Sequence, residues 1–145
     1  MADPTAIAGM GDLGTVAVVA DDLIWASRLT DAVARAGARA VRIGSDLDLE
    51  VALQASELAE PGDEPSARLL GVIVDLFGHH YDGVEAVKRA SASRLPVIAV
   101  AQHDDLETRQ LALGAGAGRV FSYQKFFTDG PRLVANWLAG AGDHR

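Results

Sequence analysis

Three aspartates follow largely apolar segments of the chain, in positions where carboxylates can bind a cation or act as nucleophiles. Asp21 and Asp22 come directly after residues 15–20, and Asp75 comes directly after residues 69–74. A short continuous apolar run is typical of a strand buried on both faces of a parallel sheet. Because such strands end at one edge of the sheet, where open α/β sheets bind their ligands, we expect the three carboxylates to lie close together. Their mutual repulsion favours a hard divalent cation with oxygen ligands, such as Mg²⁺.

Two alternative interpretations of this edge stay open. Asp75 could merely cap the following helix or turn the chain. His79 and His80 follow the strand that ends at Asp75, and His103 follows the strand predicted at residues 97–101. Imidazole suits Zn²⁺ or Ni²⁺. A transition-metal site with Asp75 is therefore an alternative to three solvated loop histidines. The chain has no cysteine, which excludes disulfides, thiolate metal sites and a thiol nucleophile.

Composition limits the class of protein. Of the 145 residues, 49% are hydrophobic and 23% are charged, which excludes a disordered chain. The net charge of −7 argues against a nucleic-acid partner bound through its phosphates. No apolar run approaches membrane-spanning length, and the N-terminus lacks a signal-peptide pattern. We therefore expect a cytoplasmic protein without membrane partners, with a flexible tail over residues 1–14, one domain over residues 15–140 and a C-terminal tail over residues 141–145.

Strand and helix patterns alternate along that domain. Strands are predicted at residues 15–20, 39–43, 69–75, 97–101 and 119–123, each followed by a helical pattern. With right-handed crossovers, this (βα)₅ order predicts an α/β fold with a doubly wound, five-stranded parallel sheet. The apolar residues predicted to face the core are Trp25, Leu29, Ala32, Val33 and Ala36 in the first helix, Val51, Ala55 and Leu58 in the second, Val84 and Val87 in the third, Leu106, Leu111 and Leu113 in the fourth, and Leu133, Val134, Trp137 and Leu138 in the last.

Several of these motifs together resemble a response-regulator receiver domain. They are Val-Val-Ala-Asp21-Asp22, Asp75-x₆-Asp82-Gly83, Pro96-Val-Ile-Ala-Val and Gly116-Ala117, and the resemblance extends over residues 15–139. It implies a flavodoxin-like (CheY-like) sheet with strand order 2-1-3-4-5. It also implies that Asp75 corresponds to the aspartate that accepts a phosphoryl group from a histidine kinase, and that Asp21, Asp22 and Asp75 bind Mg²⁺ weakly.

The sequence departs from the family pattern at the positions that respond to phosphorylation. Where receivers have Thr or Ser after the fourth strand, this chain has Ala101, which has no hydroxyl group. Tyr123 stands in place of the lysine that ends the fifth strand, and Val120 replaces the switch aromatic residue. Lys125 lies two residues beyond Tyr123, and a bulge could bring it in as a substitute cation.

These matches and departures predict an atypical, stand-alone receiver domain that is not an enzyme. We expect a signalling or protein-interaction module, largely independent of phosphorylation, whose partner is a histidine kinase or a downstream target. The resemblance places that partner on the face formed by the fourth helix, fifth strand and fifth helix, and we expect a monomer or weak homodimer. One alternative is a working receiver in a phosphorelay, with Asp75 phosphorylated in the presence of Mg²⁺. Another is a flavodoxin-like cofactor binder or an aspartate-based phosphatase.

Overall fold

Five parallel strands form one sheet in a computed structural model that describes residues 13–60, 62 and 68–143. The strand order is β2-β1-β3-β4-β5, which confirms the predicted fold class and topology. The strands are β1 (Thr15–Val19), β2 (Arg39–Ile43), β3 (Leu69–Asp75), β4 (Val97–Ala101) and β5 (Arg119–Ser122). In the register, Asp75 pairs with Val100, and Ala101 pairs with Ser122. The carboxyl ends of β3, β4 and β5 therefore meet at one edge.

Among the described residues, five helices connect and follow the strands. They are α1 (Leu23–Arg35), α2 (Asp46–Leu58), α3 (Gly83–Ala92), α4 (Leu106–Ala115) and α5 (Tyr123–Asp143). The side chains that cap α1 to α4 accept a hydrogen bond from a backbone N–H in the first turn, and they belong to Asp22, Ser45, Asp82 and Asp105. Helix α5 bends at Asp129, just before Pro131, because proline cannot continue the regular hydrogen-bond ladder.

The core consists of two apolar layers, one on each face of the sheet. Helices α1 and α5 cover one face with buried residues that include Leu29 and Val134. Helices α2, α3 and α4 cover the other face with residues that include Leu49, Val87 and Ala112. Both faces of the sheet are thus shielded from water, as expected for a parallel sheet with near-continuous apolar strands.

The predicted inner faces of α2 and α4 are wrong. Helix α2 buries Leu49 and Leu53, whereas Val51, Ala55 and Leu58 are exposed. Because this helix has apolar residues on both sides, its sequence does not distinguish the inner face from the outer one. Helix α4 buries Ala112, and its leucines are exposed at positions Leu106, Leu111 and Leu113. The predicted inner faces of α1 and α5 agree with the structure, although Trp25, Ala36, Leu133, Trp137 and Leu138 are only partly buried.

The ends of the chain differ in part from the predicted boundaries. Residues 1–12 of the predicted tail and residues 144–145 lie outside the described residues. Within that tail, the N–H of Leu13 donates to the carbonyl of Gly37 at 3.0 Å, and Gly14 accepts from the N–H of Arg39 at 2.7 Å. Helix α5 continues to Asp143, past the boundary predicted at residue 140. In the described part of the chain, no helix is long and apolar enough to cross a membrane.

Candidate functional site

Asp75 is the last residue of β3 and lies at the edge where the strands end. It is only 2% exposed, which is unusual for a carboxylate. Its Oδ1 accepts a hydrogen bond from the backbone N–H of Phe77 at 3.1 Å and another from the hydroxyl of Tyr123. Tyr123 is the first residue of α5, directly after β5. Where the family pattern has a lysine, this chain therefore has Tyr123, whose neutral hydroxyl donates to the Asp75 carboxylate.

Two aromatic side chains hold Tyr123 in this place. The Trp25 and Tyr123 rings have centroids 4.6 Å apart, and the Phe77 and Tyr123 centroids are 6.4 Å apart. Such tilted aromatic pairs add to the stability of a buried contact. We call Trp25, Phe77 and Tyr123 the aromatic cluster. It joins α1, the loop after β3 and the start of α5 around the buried carboxylate.

The surroundings of Asp75 disfavour its charged form. Burial raises the pKa of Asp75, and the negative charges of Asp22 and Asp21 raise it further. The hydrogen bonds from Tyr123 and Phe77 act in the opposite direction without offsetting the effect of burial. Burial, together with the neighbouring Asp75 carboxylate, also raises the pKa of Tyr123. Tyr123 therefore stays protonated and acts as a hydrogen-bond donor.

Asp21 directly follows Ala20, after the end of β1, and is held by the loop that follows β3. Its Oδ2 accepts from the backbone N–H groups of His79 and His80 at 2.7 and 2.6 Å, and from the His80 Nδ1 at 2.9 Å. Burial acts to raise the pKa of Asp21, but these hydrogen bonds outweigh it, so the pKa lies below its ordinary value. Hydrogen bonds thus favour the charged form of Asp21, whereas burial disfavours the charged form of Asp75.

Asp22 is exposed and caps helix α1. Its Oδ1 accepts from the backbone N–H of Trp25 at 2.9 Å. One oxygen of each of the three carboxylates is therefore already hydrogen-bonded within the chain. Asp22 nevertheless lies near enough for its charge to act on Asp75.

The donor set fits a cation that keeps most of its water. The Oδ1 of Asp21 is buried and has no hydrogen-bond partner among the described residues, which is a position that a cation or its bound water would satisfy. Throughout residues 13–60, 62 and 68–143, no group of three or more His, Asp or Glu side chains is arranged to hold a metal. A cage made of protein ligands alone is thus not formed, whereas Mg²⁺ usually needs only one or two carboxylates. The ring of His80 is bound to Asp21, and His103 is exposed.

The remaining predicted site residues are Ala101, Val120 and Lys125, and none of them donates a hydrogen bond to Asp75. Ala101 is fully buried at the end of β4. Val120 is part of the core, and its carbonyl accepts from the Arg109 guanidinium at 3.0 Å. Lys125 lies in the first turn of α5, where its Nζ binds Asp129 Oδ2 at 3.0 Å. Lys125 therefore does not take the place of the missing lysine in this structure.

Tyr81, which was not identified from the sequence, contacts the ends of the two strands that lead to Asp21 and Asp75. Its buried hydroxyl lies 2.6 and 3.0 Å from the carbonyl oxygens of Asp75 and Val19, which share its one proton, and so joins the ends of β3 and β1. A Cβ at Gly78 would collide with the Tyr81 ring, which explains a glycine at this point of the loop. The only signal in the sequence was an aromatic residue three positions after a glycine in a polar loop.

Comparisons with known proteins identify similar folds among solved structures. Neither the protein-family models nor the curated protein sequences give a match. Solved structures do match. A CheY-like receiver domain protein from Methanospirillum hungatei is 16% identical with a TM-score of 0.69, and the match covers 91% of this chain and 98% of that one. A response regulator from Thermotoga maritima is 16% identical with a TM-score of 0.67, over 87% and 98% of the two chains.

A third match carries a metal. The receiver domain of a sensor histidine kinase from Pseudomonas aeruginosa has a magnesium ion coordinated in its active-site cleft. It is 17% identical to this chain with a TM-score of 0.65, over 87% of this chain and 98% of that domain. At such low identity the likeness concerns the fold, and the strand order agrees with it. This chain has the fold of a response-regulator receiver domain.

Proposed function

We propose that this chain is an atypical receiver domain, a signalling module that binds a protein partner largely without phosphorylation of Asp75. The observation that carries the proposal is the hydrogen bond from the Tyr123 hydroxyl to Asp75 Oδ1. It engages Oδ1 of the buried carboxylate with a neutral donor held by the aromatic cluster. That donor stands where the family pattern has the lysine that stabilises a phosphoryl group.

This chain also has fewer groups that could stabilise a phosphoryl group on Asp75. Such a group adds nearly two negative charges beside Asp21 and Asp22. Ala101 offers no hydroxyl, and Lys125 is bound to Asp129. One hydrogen bond to a charged group contributes roughly 1.5–3 kcal/mol. Losing it corresponds to about a tenfold or larger loss of the phosphorylated state's stabilisation.

The proposed site binds a magnesium ion weakly. Asp21, with its unpartnered buried oxygen, would hold the ion, and the carboxylates of Asp22 and Asp75 would act on it through its bound water. The ion would supply positive charge that offsets the repulsion among the three carboxylates. We expect weak binding because the other oxygen of Asp21 already accepts three hydrogen bonds.

The proposed partner is a protein, either a histidine kinase or a downstream target, that binds at α4, β5 and α5. Leu106 and Leu113 are exposed on α4, and their spacing places them within about 20° of each other around the helix. Exposed apolar residues grouped in this way are typical of protein interaction sites. The net charge of −7 disfavours nucleic acid as the partner.

A working phospho-accepting receiver is the second candidate function. What favours it is that Asp75 ends β3 with the charged carboxylate of Asp21 near it, so the acceptor and a metal ligand are both present. The two candidates differ in whether a phosphoryl mimic can bind. The first expects almost no binding, and the second expects saturable binding that depends on Asp75.

Amide NMR spectra of the protein with saturating Mg²⁺, before and after addition of beryllofluoride, test the choice. We expect the mimic to leave the spectrum and the sedimentation coefficient unchanged. The Asp75→Asn variant is the matched control, because it keeps an oxygen that can accept from Tyr123. Saturable shifts around Asp75 that disappear in Asp75→Asn would overturn the proposal in favour of the phospho-accepting receiver.

A further inference from the structure

Helix α2 presents an apolar stripe to solvent. Leu47, Val51 and Leu58 are 73%, 59% and 73% exposed. At about 100° per residue, their spacing places the three side chains within about 40° of each other around the helix. Along the axis they extend over about 16 Å, or three turns. We call these three residues the outer stripe of α2.

The outer stripe is not needed to hold α2 on the sheet. Leu49 and Leu53 on the opposite side of the helix are buried in the core, with Ala52 packed partly against it. The helix is therefore anchored by its inner face, with its first turn capped by Ser45. Large aliphatic side chains at three matching outer positions exceed what a purely solvent-facing helix surface requires.

Acidic residues flank the outer stripe on both sides. Asp48 lies on one flank, about 100° from Leu47, and Glu50 and Glu57 lie on the other flank, about 60° to 80° away. All three are exposed, and α2 contains no lysine or arginine. Glu50 is paired with Arg89 of α3, whereas Asp48 and Glu57 form no salt bridge in the described part of the chain. The surface is thus an apolar strip between carboxylates.

We propose that the outer stripe of α2 binds a basic amphipathic helix of a partner protein. Three aliphatic side chains over three turns match the anchors that such a helix places in an apolar groove. Lysine or arginine beside the partner's apolar face would meet Asp48 and Glu57, so the charges are complementary. A second copy of this chain would instead bring acidic flanks together, and like charges at such positions oppose pairing.

This surface is distinct from the α4, β5 and α5 face, and the proposal does not depend on the state of Asp75. It holds whether or not the protein is phosphorylated. The outer stripe belongs to the helix that follows β2, at the opposite edge of the sheet from β5. Two partners, or two helices of one partner, would then have separate places on the molecule.

The test uses a synthetic helix as the probe. A labelled leucine-lysine peptide of about 18 residues, with apolar positions every three or four residues, is titrated with the protein at low salt while fluorescence anisotropy is recorded. A peptide with glutamate in place of every lysine is the charge control. Amide NMR shifts map the binding site. We expect the basic peptide to bind with shifts centred on α2, and the acidic peptide not to bind.

Matched variants separate the outer stripe from other exposed leucines. The triple variant Leu47→Gln, Val51→Gln, Leu58→Gln keeps helix propensity and charge and should weaken binding by about tenfold or more. The variant Leu111→Gln replaces another exposed leucine, on α4, and should change the affinity less than about twofold. Shifts centred on α4 or on Leu23 and Ile24, equal binding of both peptides, or no binding at all would overturn the proposal. So would self-association of the protein that the triple variant abolishes.

Discussion

The charge on Asp75 opposes folding, which gives a prediction about pH. Its pKa in the folded protein is raised above the ordinary value of 3.8 by burial. A carboxyl group with a raised pKa favours the folded state most below its unfolded pKa, and that contribution is lost as the pH rises through the folded pKa. We expect Asp75→Asn to have a larger free energy of unfolding than the native protein at neutral pH. The difference should fall toward zero below the ordinary value of 3.8.

Urea unfolding of both proteins across the acid range, in the presence of a chelator, measures this difference. Asparagine can still accept the Tyr123 hydrogen bond, so the variant mainly removes charge. A variant that is less stable at neutral pH would mean that Asp75 is more favourably hydrogen-bonded than its burial suggests.

Trp25 should report a cation bound to the acidic residues. Its backbone N–H binds Asp22, and its ring lies against Tyr123, which binds Asp75. Trp137 lies elsewhere, where a Cβ on Gly71 would approach its ring to 2.7 Å. We therefore expect a Mg²⁺-dependent fluorescence change in Trp137→Phe that disappears when Asp21→Asn is added. A constant signal up to tens of millimolar Mg²⁺ would contradict a metal site here.

At the scale of elements, the start of α3 is pressed against the chain that follows Asp75. A Cβ on Gly83 would lie 2.7 Å from both the Cα and the carbonyl oxygen of Leu76. Backbone atoms cannot rotate away, so Gly83→Ala should destabilise the protein by about 1–3 kcal/mol. Gly114 in α4 is the matched control, because a Cβ on this residue would have no neighbouring atom within 4 Å beyond its own helix backbone. Gly114→Ala should stabilise the protein by up to about 1 kcal/mol.

Thermal or urea unfolding of the two alanine variants gives both values in one experiment. Equal effects of the same sign would mean that the packing of α3 on Leu76 is looser than the distances indicate. The Gly83 variant should also shift the amide signals of the loop after β3, since Leu76 donates from its N–H to Val100 at 3.0 Å.

The strands could be predicted from the sequence, but two helix faces could not. Buried parallel strands such as Val97–Ala101 are uniformly apolar, and the polar residues that follow define where they end. Helix α2 has leucines at 47, 49, 53 and 58, so two opposite faces are apolar and only packing decides between them. In α4 the buried residue is Ala112 while the leucines are exposed, so the positions of the large apolar residues did not indicate the inner face.

The site was predictable in position and not in its contacts. Strand ends placed Asp21, Asp22 and Asp75 together because parallel strands share an edge. The Tyr123–Asp75 bond depends on α5 beginning directly after β5, which moves Tyr123 from the predicted strand into the first turn of a helix. The bonds from His79, His80 and Tyr81 depend on the path of a loop that has no periodic pattern to read.

At the scale of the whole molecule, the link between Asp75 and the α4 face runs through β5. Val120 is buried among the residues of one apolar layer, and its carbonyl is bound by Arg109 of α4. Val120 is small and aliphatic, so this position has no aromatic ring that could move between the core and the surface. The α4 face is therefore fixed to β5 by a packed core and by one charged hydrogen bond, which favours a single arrangement of that face.

A variant that restores the phosphoryl-binding groups beside Asp75 but leaves Val120 unchanged distinguishes two steps. One is binding of the phosphoryl mimic at Asp75, and the other is a resulting change in α4. In the double variant Ala101→Thr, Tyr123→Lys, a hydroxyl and a lysine return to positions beside Asp75. We expect it to bind beryllofluoride in the presence of Mg²⁺, with saturable amide shifts at Asp75 that Asp75→Asn removes. Each restored hydrogen bond to the charged group contributes roughly 1.5–3 kcal/mol, so the affinity should exceed that of the native protein by at least about tenfold.

Hydrogen exchange of α4 in the same double variant measures transmission. We expect the exchange rates of the α4 amides to stay the same with and without the mimic, because Val120 and the Arg109 bond are unchanged. Adding Arg109→Gln should raise those rates whether or not the mimic is bound, since it removes the tie between α4 and β5. Slower or faster exchange in α4 on binding of the mimic to the double variant would show that this core does transmit the change. The absence of an aromatic residue at position 120 would then not be what separates Asp75 from the partner face.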